Sequence, residues 1–128
     1  MQFNKNILFS LVFILFSQIT NAQIHHIEPL NWWVGMKNPN LQLLVNGENV
    51  AELTPKINYQ GVSLKKVTKG DSKNYLFLDL VIAKNTKAGK FQIDFYKSNK
   101  KVYSQEYELL NRETDPKNIK GFNSADVI

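Results

Sequence analysis

The chain has 128 residues, a formal net charge of +5 and no cysteine. Without thiols there are no disulfides, iron–sulfur clusters or zinc–cysteine sites, so a folded domain has to be held by apolar packing. The lysines are dispersed, with Lys65-Lys66-Lys69 and Lys97-Lys100-Lys101 as the densest groups, and no recognition module accompanies them, so nucleic acid is not an expected partner.

Residues 1–22 read as a processing signal rather than as part of a fold. Lys5 supplies the positive start, residues 7–19 form an apolar block, and Thr20-Asn21-Ala22 offers a small-residue cleavage site. The block has 13 residues, short of the roughly 20 that a spanning helix needs. The expectation is export, to the periplasm, the cell surface or the medium, with cleavage after Ala22 and no membrane span in the mature chain. The 106 residues that remain suit one domain and one core.

Beyond the signal, apolar residues recur with period two in short runs separated by Gly, Asn, Lys and Pro clusters, which predicts strands. A first strand is expected over residues 24–28, ended by Pro29, and a short second one over 32–36. Residues 41–46 follow, with Asn46-Gly47 as a turn dipeptide leading into a strand at 50–53. Residues 62–68 come next. The clearest strand is 75–82, where Leu76, Leu78, Leu80 and Ile82 share one face. Residues 90–97 and 101–109 read as a hairpin reversed by Ser98-Asn99-Lys100. No helical stripe occurs in this region.

Seven or eight short antiparallel strands at this spacing predict an all-β fold, a two-sheet immunoglobulin-like sandwich, with an open barrel as the competing architecture. The sandwich is expected to span residues 23–110. A charged, proline-containing linker follows at 111–120, and residues 121–128 read as the opening of another strand.

The two tryptophans, Trp32 and Trp33, are adjacent. Successive side chains on a strand face opposite ways, so the two rings cannot fill the same core. One is expected to anchor the sandwich core, leaving the other outside as a platform for sugar rings or as a contact for a neighbouring domain. No catalytic constellation is found. His25 and His26 cannot chelate one ion together from a strand, Ser63 and Ser72 have no activating motif, and the pairs Glu106/Glu108 and Glu113/Asp115 read as solvated carboxylates. Neither a metal nor a cofactor is expected.

The segments "IHHIEPLNWWVGMKNPNLQLLVNG", "NYLFLDLVI", "AGKFQIDF" and "KGFNSADVI" together resemble the N-terminal domain of exported cyclomaltodextrinase and neopullulanase-like α-amylases. The element from 28 to 39 and the element from 121 to 128 carry the resemblance most specifically. It implies an immunoglobulin-like sandwich standing before a TIM-barrel catalytic domain, with residues 121–128 leading into the first barrel strand. It also implies a parent enzyme that hydrolyses α-glucosidic bonds in maltodextrins, cyclodextrins, pullulan or starch fragments. The catalytic carboxylates of that family lie in the barrel, so no catalytic role transfers to a residue here, and the chain as given is expected to hydrolyse nothing.

The expected role is therefore that of an accessory domain packing against the barrel and shaping the substrate cleft or a dimer contact. Trp32, Trp33 and Met36 are the interface candidates, and Phe122, Asn123 and Asp126 join sandwich to barrel. The partners implied are the barrel, an α-glucan oligosaccharide and a second copy of the parent. Two rival readings stand beside it. One is an α-glucan-binding module using Trp32 or Trp33, Tyr59 and Tyr75; the other is a free-standing immunoglobulin-like export with a structural or adhesive role.

Overall fold

In the computed structural model, which describes residues 23–112, the period-two pattern resolves into eight strands. They are β1 (Ile24–Glu28), β2 (Asn31–Trp33), β3 (Asn40–Gly47), β4 (Thr54–Ile57), β5 (Val62–Lys69), β6 (Tyr75–Ile82), β7 (Gly89–Lys97) and β8 (Lys100–Leu110). The expected signal segment and the segment carrying Phe122, Asn123 and Asp126 lie outside the described residues.

One sheet has the order β1-β3-β6-β5 and the other β2-β8-β7-β4. Labelled in chain order, the first is the ABED sheet of an immunoglobulin domain, and the second is its GFC sheet with one strand added at the edge. The apolar alternation makes this arrangement favourable. Leu41, Leu43 and Val45 on β3 and Leu76, Leu78, Leu80 and Ile82 on β6 point inward from one sheet, while Phe91, Ile93, Phe95, Tyr107 and Leu109 meet them from the other. Leu43, Val45, Leu76, Leu78, Ile93 and Phe95 are sealed from solvent, so the core is apolar on both faces and runs the length of the central strands.

The hairpin between β7 and β8 turns on Ser98 and Asn99, with φ of 51° and 64°. Two consecutive positive φ values are those of the primed turn that matches strand twist. Asn99 suits such a position because its short polar side chain tolerates the left-handed region.

Three local expectations are corrected. The first concerns residues 50–53, expected as a strand after an Asn46-Gly47 turn. Gly47 is instead the buried last residue of β3, where a Cβ would run into the Gln23 carbonyl and lie 2.8 Å from the Ile24 Cα. Val50–Glu52 then form a single 3-10 turn. Val50 and Leu53 are buried, so their apolarity serves to plug the end of the core while the chain crosses to the opposite sheet. The strand of this region, β4, lies further on and contains Pro55, which an edge strand tolerates.

The second correction concerns residues 32–36. The strand stops at Trp33, and Gly35, at φ 71°, carries the chain through a turn. The third concerns strand direction. β2 pairs with β8 in parallel, Trp32 opposite Leu109 and Trp33 opposite Leu110, while every other ladder is antiparallel. The chain leaves β1 at Pro29 and switches sheets, and the crossing brings β2 alongside β8 in the same direction.

Tyr107 is the one buried side-chain polar group among the described residues without a hydrogen-bond partner. Burial pushes its phenol pKa above the ordinary tyrosine value, so it stays neutral at any ordinary pH. A hydroxyl with no protein partner contributes nothing that phenylalanine would lose. Tyr107→Phe is therefore expected to leave stability unchanged or raise it by about 1 kcal/mol, measured by urea denaturation. A loss of that size would show that the hydroxyl has a partner in solution.

Candidate functional site

Strand alternation decides the fate of the two tryptophans. Trp32 turns inward and packs, half-buried, against the core. Trp33 faces out with 38 % of its surface exposed. Their rings nevertheless approach across the edge of β2, with centroids 5.6 Å apart and planes tilted by 58°. The expectation of one tryptophan as the central core anchor is corrected here. The large rings of the core are Phe91, Phe95 and Tyr107, and Trp32 reaches only its margin because β2 is a short edge strand.

Leu30, unremarked in the sequence, lies just before β2 and is 77 % exposed, the most exposed large apolar side chain among the described residues. Its signal was a leucine isolated between Pro29 and Asn31, away from any alternating run. Leu110 is half-buried opposite Trp33, and its carbonyl accepts the Val34 N–H at 3.0 Å. Met36 is half-buried in the loop leading to β3. Trp33 and Leu110 thus mark an apolar edge at the end of the sandwich where β8 finishes, and Leu30 lies before the start of the same edge strand.

Tyr59 belongs to the same end. It bridges to Val62, which pairs with Ile82, and the loop after Ile82 delivers the chain to Gly89 opposite Leu109. Tyr75 opens β6 at the other end, opposite Asn46, and is 41 % exposed. Seven residue steps of strand, roughly 23 Å, separate the two ends of β6. The sequence candidates therefore divide into Trp32, Trp33, Met36 and Tyr59 at one end and Tyr75 at the other.

The charged groups are spread over the outer faces. Lys90 Nζ lies 3.1 Å from Glu106 Oε1, and this hydrogen bond, with the negative charges of Glu106 and Glu108, raises the lysine pKa. Lys97 reaches Glu52 at 3.2 Å and ties the 3-10 turn to the hairpin. These pairs are exposed and contribute little to stability. His26 approaches Glu28 at 3.5 Å, while His25 and His26 are both exposed. Among the described residues no three His, Asp or Glu side chains gather as a metal site.

Between the turn after Tyr59 and the loop after Ile82 lies a cleft of about 490 Å³, lined by Tyr59, Gln60, Gly61, Asn85, Thr86 and Lys87. Hydrogen bonds tie the two loops together. The Tyr59 hydroxyl donates to the Lys87 carbonyl at 2.8 Å, the Ala83 N–H donates to the Gly61 carbonyl at 2.7 Å, and the Thr86 hydroxyl lies within reach of the carbonyls of Ala83 and Gly61 at 2.6 and 3.1 Å. Gln60, Asn85, Thr86 and Lys87 were not singled out in the sequence. The two loops are some 25 residues apart in the chain, and only the pairing of β5 with β6 brings them together.

A sandwich of this strand order is of the immunoglobulin-like class. The family model for the cyclomaltodextrinase N-terminal domain matches residues 26–113. The chain belongs to that family, and the domain is an accessory N-terminal domain of cyclomaltodextrinase-type glycoside hydrolases.

Proposed function

We propose that the domain docks on the α-amylase-type catalytic barrel of its parent enzyme through the edge marked by Trp33 and Leu110, together with Leu30. The observation that carries this reading is the partly exposed Trp33, opposite Leu110 where β8 releases the chain, with the exposed Leu30 just before the same edge strand. An exposed indole and leucine gain free energy only when covered, and a domain following β8 starts beside the indole. In this reading residues 1–22 are a cleaved export signal, 111–120 are the linker, and 121–128 begin the first barrel strand. Phe122, Asn123 and Asp126 sit at the junction. The parent works outside the cytoplasm on α-glucosidic bonds with carboxylates of the barrel, and the docked sandwich borders its substrate cleft or its dimer contact.

The test is Trp33→Ala in the polypeptide that carries both sandwich and barrel. The sandwich alone is expected to lose about 0.5–1.5 kcal/mol, because more than half of the Trp33 surface is already covered within the domain and its ring meets Trp32. The two-domain enzyme is expected to lose about 1–3 kcal/mol of interdomain stability, read as a lower thermal midpoint and easier proteolysis between the domains. Equal midpoints for the parent and the variant would remove the docking role.

A glucan-binding surface is the second reading. The grouping of Tyr59 with polar loop residues favours it at that end of the sandwich alone.

A further inference from the structure

We propose that the cleft between the β4–β5 turn and the β6–β7 loop is a binding site for a neutral saccharide unit. Four features of the cleft point to this chemistry. Its volume, about 490 Å³, is in the range of small-molecule sites. The backbone of its two loops is already tied together by the hydrogen bonds of Tyr59, Ala83 and Thr86, so the ordering that binding requires is confined to side chains. The side chains of Gln60, Asn85 and Lys87 make no hydrogen bond or ion pair among the described residues. Two amides and an ammonium supply both donors and acceptors.

The fourth feature is the wall. Tyr59 is half-buried, with one face stacked on Phe91 at 4.9 Å and its hydroxyl held by Lys87, and it lines the cleft with what remains. A fixed aromatic surface beside free amides suits a ring with apolar C–H faces and a rim of hydroxyls. No carboxylate lines the cleft and only one lysine does, which disfavours a cation and gives an oxyanion a single charge partner. The depression on the outer face of the β1-β3-β6-β5 sheet, lined by Gln42, Lys65 and Asp79, is a poorer candidate. There the Gln42 amide already donates to Asp79 at 2.8 Å.

The choice of an α-linked glucose unit as the saccharide rests on the α-glucan reading of the parent; the geometry of the cleft does not. The protein is titrated with maltoheptaose while backbone amide resonances are followed by NMR. Shifts are expected to centre on Gln60, Gly61, Asn85 and Lys87. Gln60→Ala and Asn85→Ala, both exposed and outside the core, are each expected to weaken binding roughly three- to ten-fold, as the loss of one hydrogen bond does. Trp33→Ala is expected to leave the affinity unchanged. No shifts, shifts centred on Trp33 or Tyr75, or an equal response to inorganic phosphate at these four residues would overturn the proposal. The docking reading is tested by Trp33 in the two-domain enzyme, so either can fail without the other.

Discussion

Phe95→Ala should destabilise the protein by about 3–5 kcal/mol, the usual cost of emptying a large ring from a packed core. Phe95 lies on the inward face of β7 with no solvent exposure, in one apolar cluster with Ile93 and the inward residues of the facing sheet. Domains of this size have about 5–15 kcal/mol in total, and this one has no disulfide to limit its unfolded state. The variant should therefore keep only part of that stability, with its urea midpoint shifted far down. Phe77→Ala supplies the contrast. Phe77 stands on the outward face of β6 opposite Leu44 and is only half-buried, so its removal should cost markedly less. Equal losses at the two positions would mean that the inward and outward faces have been misassigned.

Gly61→Ala carries the second large effect, a loss of about 2–4 kcal/mol, because two costs combine. The backbone there has φ of 93°, which a side chain strains, and the new methyl would run into the Thr86 side chain. Thr86 is buried, and its hydroxyl joins the two loops through the carbonyls of Gly61 and Ala83. Displacing it breaks that bridge as well as straining the chain. Gly35→Ala separates the terms, since Gly35 also has positive φ but nothing lies within 4 Å of a Cβ placed on it. It should show the backbone cost alone, about 1 kcal/mol. Denaturation of both variants by urea gives the comparison, and similar losses would show that the Thr86 contact contributes nothing.

The β7–β8 hairpin and the long strands β3 and β6 could be read from the alternation of their side chains. In each of them one face is buried and the other meets water, and a residue-by-residue contrast of that kind is written directly into the sequence. The adjacency of Trp32 and Trp33 likewise required one ring to face out. The missed elements are the short ones at the sheet margins. Val50 to Leu53 carry the same apolar residues as a strand, but they cap the end of the core, and β4 hides behind Pro55. The tryptophan edge was legible as residues and the cleft was not, because its walls come from loops whose own composition is ordinary.

Local chemistry was therefore enough for the all-β class, the inward faces of the long strands and the separation of the two indoles, since these follow from a period of two and from the need to bury apolar area. The sheet to which each strand belongs, the parallel seating of β2, the placement of Tyr75 far from the tryptophans and the joining of Gly61 to Thr86 depend on contacts between distant segments. Such contacts are set by how two twisted sheets close over a shared core, and no window of neighbouring residues contains that information.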